Sequence, residues 1–140
     1  MKVIVVGDGR LAARAALEAE KGLDLVDPPE GRPALTAGEV EEIAAELRAF
    51  QGLLEGGAVD RVVLVGSSNP TLAATLVASK MRIPAASVET EARDSAEGES
   101  FVINRRLIEQ LADAGLADDP AAIAAWLAEP QQPSQPPDEH

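Results

Sequence analysis

Val62-Val63-Leu64-Val65 is an unbroken apolar, largely β-branched run that stops at Gly66, crosses Ser67-Ser68-Asn69 and resumes as a helix-forming stretch from Pro70. A run apolar at every position suits a strand buried on both faces, which means a parallel sheet covered by helices. Gly66 permits a sharp exit, and Pro70 fits a first helical turn because that turn has no use for its missing N–H. Such a unit aims backbone N–H groups and the positive end of a helix dipole at the loop, where an anion is favoured. The N-terminus repeats the pattern. Lys2–Val6 is a buried-type strand followed at once by Gly7-Asp8-Gly9 and an alanine-rich stretch.

The remaining chain alternates in the same way. Leu11–Glu20 reads as a helix, Leu23–Val26 as a short second strand, and residues 27–35, with three prolines and a glycine, as a surface loop. Thr36 with Glu39 forms a capping box for a helix reaching Glu55, with Val40, Ile43, Leu47, Phe50 and Leu54 inward and Gly56-Gly57 as its stop. Arg61–Val65 is strand three, Pro70–Lys80 a helix, Ile83–Val88 strand four and Glu89–Ser100 a charged loop. Phe101–Ala114 reads as a helix closed by Gly115. Asp119 caps a last helix that has Pro120 at its first position and Ile123, Trp126 and Leu127 inward. From Pro130 the chain is Pro, Gln, Ser and acids before the final His140, so residues 129–140 are expected to be a disordered tail. The expected fold is α/β: a single Rossmann-like domain over residues 1–128, with about four parallel strands in the order 2-1-3-4 flanked by helices.

Composition removes several kinds of chemistry. There is no cysteine, which excludes disulfides and thiolates, and the single histidine is the last residue, so no histidine dyad or histidine metal site exists inside the fold. A net charge of −12 argues against nucleic-acid backbones and anionic membranes as partners. No apolar run approaches the ~20 residues needed to span a bilayer, and the first strand is too short for a signal peptide. The chain is expected to be soluble and cytoplasmic.

Two glycine turns carry the candidate chemistry. Gly7-Asp8-Gly9-Arg10-Leu11-Ala12 fits the dinucleotide fingerprint after a strand and at a helix start, and Asp27, eighteen residues beyond Gly9, stands where a ribose-binding acid belongs. The same glycines also serve any parallel sheet that needs a tight first turn, and Asp27 precedes Pro28-Pro29, so a loop departure explains it equally. At the second turn, Gly66, Ser67, Ser68, Asn69 and Thr71 are able to hold a phosphate or a sugar hydroxyl; they equally make an ordinary helix cap with Asn69 preceding Pro70. Beyond strand four, Glu89, Glu91, Asp94, Glu97 and Glu99 form an acidic run that reads as solvated loop, and no metal or cofactor is expected.

Taken with Thr71-Leu72-Ala73-Ala74, Arg82-Ile83-Pro84, Val88-Glu89 and Ile103-Asn104-Arg105-Arg106-Leu107-Ile108, the central block resembles the N-terminal half of the non-hydrolysing UDP-N-acetylglucosamine 2-epimerases. The resemblance covers about residues 35–112 well and residues 1–17 weakly. It implies a glycosyltransferase B-like architecture, in which two such α/β domains enclose a nucleotide-sugar. It also implies roles: Glu89 as the catalytic carboxylate, and Arg10 and Arg105 as ligand-binding cations beside the glycine turns. Three departures follow from the same comparison. Ser67 stands where the family carries an acid, Phe101 and Val102 stand where it carries an acidic pair, and its basic residue one turn after Arg10 falls near Ala15.

The expected function is thus an epimerase-like single-domain protein, catalytically degenerate, acting as a binding or partner module near nucleotide-sugar metabolism. Its expected ligand is a nucleotide-sugar or phosphate, and its expected assembly a homo-oligomer or hetero-complex through the Thr36–Glu55 helix and its neighbour. The alternatives are a divergent or split epimerase completed by another chain, and a small NAD- or nucleotide-binding module built on Gly7 and Gly9.

Overall fold

The computed structural model describes residues 1–7, 17–18, 22–26, 39–56, 59–88 and 99–129. Five strands form one sheet: β1 (Lys2–Gly7), β2 (Asp24–Val26), β3 (Arg61–Val65), β4 (Ala85–Val88) and β5 (Ala114–Leu116), in the order β2-β1-β3-β4-β5. Every neighbouring pair is parallel. The helices among the described elements are α1 (Glu39–Glu55), α2 (Asn69–Met81), α3 (Glu99–Leu111) and α4 (Pro120–Ala128). The fold is the expected Rossmann-like one with one strand more.

Strand residues alternate between two cores, as a pleat requires. Ile4, Val6, Val62 and Leu64 face one side, where Phe50 and Leu54 of α1, Leu72 and Val77 of α2 and Ile108 of α3 cover them. Val3, Val5, Val63 and Val65 face the other, against Leu17 and Ile123, Trp126 and Leu127 of α4. Of the helix expected over 11–20, Leu17 and Glu18 are described and are helical. Thr36 of the capping box, residues 89–98 of the charged loop after β4 and residues 130–140 lie outside the described residues, whereas Glu99 and Ser100, expected in that loop, already form the first turn of α3.

Several boundaries differ from expectation for identifiable reasons. Val40 is 81% exposed rather than inward. α1 has 17 residues, about 25 Å of helix, whereas a five-residue strand spans only about 17 Å, so its first turn overhangs the sheet. α2 is capped by Ser68, not Asn69, which is already its first residue. Strand four begins at Ala85 because Ile83 completes the end of α2: Arg82 N–H bonds Ser79 O and Ile83 N–H bonds Ala78 O, a Schellman motif with Arg82 left-handed at φ 59. α3 stops at Leu111, and Gly115, expected as its cap, is the centre of β5.

Candidate functional site

The carboxyl ends of three strands stand abreast, since Gly7 pairs with Val65 and Val65 with Val88. The chain leaves β1 towards one sheet edge and β3 towards the other, so the crevice between them is the switch point where open parallel sheets bind ligands. Gly7 (φ +120) closes it from one side. Its Cα packs against the Val65 carbonyl, and a Cβ added there would overlap that carbonyl and fall 2.7 Å from Thr71 Oγ1. Only glycine allows both the left-handed conformation and this approach.

On the other side, Gly66 turns at φ 81 into a tightly bonded loop. Ser68 Oγ accepts the Thr71 N–H at 3.4 Å and lies 2.8 Å from Thr71 Oγ1, which in turn donates to Val65 O at 3.4 Å. Leu72 N–H bonds Ser68 O, and Thr75 Oγ1 donates to Thr71 O. The hydroxyls of Ser68 and Thr71 are therefore committed to holding the turn. Of the first-turn donors, Thr71 and Leu72 are used and Pro70 has none, which leaves the amides of Ser68 and Asn69 as those the turn offers. Ser67 is 7% exposed, and among the described residues no hydrogen bond engages its hydroxyl.

One residue reaches this loop from a separate helix. Asn104 of α3, 3% exposed, donates from Nδ2 to Ser67 O at 3.0 Å and to Asn69 Oδ1 at 2.9 Å. Sequence reasoning assigned no role to Asn104, yet a signal was there: it sits three residues after Phe101 and four before Ile108, on the apolar face of its helix. A polar side chain buried in that position must find partners. Arg105, the next residue, lies about 100° around the helix; it is exposed and its Nε lies 3.7 Å from Glu109 Oε1. The structure thus brings together Gly7, Gly66, Ser67, Ser68, Asn69 and Thr71. Gly9, Arg10 and Glu89 lie outside the described residues, and no cluster of three or more metal-ligating side chains occurs among the described ones.

The opposite end of the sheet is built for stability. Arg61 opens β3 buried, donating from Nη1 to Trp126 O and Leu127 O at 3.1 and 2.6 Å and from Nη2 to Glu129 O at 2.8 Å. Its guanidinium carbon lies 5.6 Å from the centre of the Trp126 ring. Burial pulls its pKa below the ordinary arginine value, while the charges of Asp60 and Glu129 act in the other direction. This cation closes the C-terminus of α4, where carbonyls and the helix dipole favour positive charge.

The switch-point crevice and its two glycine turns place the chain among Rossmann-like α/β domains. No protein-family model matches this sequence, and no curated protein matches it. Solved UDP-N-acetylglucosamine 2-epimerases do match it in structure. The enzyme of Methanocaldococcus jannaschii has a TM-score of 0.65 at 23% identity, over 91% of this chain and 42% of its own. That of Neisseria meningitidis, solved bound to UDP-GlcNAc, has 0.66 at 18% identity, over 93% and 44%. A putative one from Listeria monocytogenes has 0.67 at 18% identity, over 94% and 42%. The likeness is one of fold, and the chain spans about two-fifths of the length of these epimerases, the extent of an N-terminal-like domain.

Proposed function

We propose that this chain is a catalytically degenerate, epimerase-like domain that keeps a ligand-binding turn at the switch point and acts as a binding or partner module near nucleotide-sugar metabolism. Ser67 carries the reading. It stands at the end of β3, where the resemblance expects a carboxylate. A hydroxyl without a neighbouring base does not shuttle protons at neutral pH, and the only histidine is His140. Elimination and re-addition of UDP demand paired acid–base groups, and Val102 occupies another of the acid positions.

The test is to incubate the purified chain with UDP-N-acetylglucosamine and to measure its melting temperature with UDP-N-acetylglucosamine, UDP and NAD. We expect no epimerised product and a stabilisation by the uridine ligands of about 2.7 kcal/mol at 100 times the dissociation constant. Turnover abolished by Glu89→Gln would replace this reading with a divergent epimerase, the alternative that the likeness of fold to the solved enzymes supports. Stabilisation by NAD alone would point to the first glycine turn instead. Self-association is part of the proposal. Its support is on α3 rather than α1, because Ile103, Leu107 and Leu111 recur one turn apart and are 55%, 42% and 36% exposed. Light scattering should find a wild-type dimer that Leu107→Glu returns to monomer.

A further inference from the structure

A carbonyl oxygen only accepts, so the Asn104 atom 3.0 Å from Ser67 O is its amide nitrogen. The second proton of that nitrogen needs an acceptor, so the Asn69 atom 2.9 Å away is Oδ1. These two bonds assign a polarity to the loop. Two of its acceptors, Ser67 O and Asn69 Oδ1, are drawn towards α3 and engaged there. Donors remain: the Asn69 amide NH2, the backbone N–H groups of Ser68 and Asn69, and the hydroxyl of the nine-tenths-buried Ser67, which both donates and accepts and which no described residue engages.

We propose that Asn104 is the positioning residue of this loop: by holding Ser67 O and Asn69 Oδ1 on α3 it leaves a turn rich in donors that takes a phosphate oxygen. The proposal rests on the reading of this loop as the ligand site and adds which chemistry it selects and what sets that choice. A neutral sugar, which both donates and accepts, gains less from a turn rich in donors. Asn104→Asp keeps the shape but cannot donate. Its carboxylate would instead accept from the Asn69 NH2, turn Asn69 Oδ1 outward and place a negative charge behind the loop.

The experiment titrates the full chain with inorganic phosphate, UDP-N-acetylglucosamine and N-acetylglucosamine, following the backbone amides of Ser68 and Asn69 by NMR. Trp126, in the core on the other face of the sheet, reports that each variant is folded. In the wild type both phosphate ligands should shift those amides, and the neutral sugar should not. Asn104→Asp should weaken both phosphate ligands about tenfold or more, as expected when charge-assisted hydrogen bonds are lost. Asn104→Ala should weaken them less, and in an Asn69→Ala background its effect should shrink, because one of its two bonds to the loop is then already gone. A purely structural role would lower stability yet leave the losses additive. Wild-type phosphate affinity in folded Asn104→Asp, or additive losses, would overturn the proposal. Binding of UDP-N-acetylglucosamine that Asn104→Asp leaves unchanged would remove the inference and keep the nucleotide-sugar reading. Binding of phosphate without UDP-N-acetylglucosamine would do the reverse, and binding of neither would remove both.

Discussion

Single side chains set the limits of this fold at three places. Arg61 satisfies three carbonyls at the end of α4 and lies against Trp126, so its removal strips buried acceptors and packing together. Arg61→Ala should cost about 3 kcal/mol in urea unfolding followed by tryptophan fluorescence; Arg61→Lys, whose compact ammonium cannot span the three carbonyls, should cost about half as much. An unchanged midpoint would mean that α4 is held by its apolar face alone. At Gly7 a methyl group has nowhere to go, since Val65 O and Thr71 Oγ1 already occupy its position at a φ of +120. Gly7→Ala should therefore lose about 3 kcal/mol from strain and overlap together. Arg82 runs the other way. It holds the left-handed end of α2 at φ 59 with a side chain that raises the cost of that conformation. Arg82→Gly should raise stability by about 0.5–1 kcal/mol, measured by the same unfolding curve.

At the scale of elements, two aspartates do the same work at two strand entries. Asp60 accepts the Lys2 N–H at 2.7 Å and returns its own N–H to Lys2 O, and Asp113 makes the same pair with Ala85. Each sits one residue before its strand and fixes that strand's register on its neighbour. Asp113→Ala should cost about 1 kcal/mol and open β5 locally, read as faster hydrogen exchange at the Ala85 amide than at Val63. Equal exchange at both would show that β5 is held by packing instead. This device also explains what sequence left unread. Strands one, three and four are runs of Val, Ile, Leu and Ala that only a doubly covered sheet accommodates, and Asp119-Pro120 announces α4 unambiguously. Ala114-Gly115-Leu116 has three residues, no β-branching and a glycine at its centre, so its local pattern resembles a helix stop. Its strand character comes from Asp113 and from the small side chains of β4 opposite, a long-range cause that no local window contains.

At the scale of the whole molecule, the positions of the two strand-ending glycines were legible and the bonding of the loop beside them only partly so. Strand–glycine–helix punctuation places Gly7 and Gly66 at the carboxyl ends of adjacent strands whatever else the chain does. Which hydroxyls are engaged by the turn, and the reach of Asn104 across from α3, depend on helix packing and could not be read from spacing. The chain as a whole also opposes its proposed ligand: 24 acidic against 12 basic residues give −12, a field that repels a phosphate at long range. Hydrogen-bond donors at the loop act only at contact. Between about 0.01 and 0.15 M salt the screening length falls from about 30 to about 8 Å, which removes the long-range repulsion and leaves the contacts intact. The dissociation constant for UDP should therefore hold or fall across that range, the opposite of a site built on a basic patch. Calorimetric titration at the two salt concentrations measures it. A several-fold weakening with salt would show instead that a cation carries the affinity, and Arg10→Ala would then be the variant that abolishes both the binding and its salt dependence.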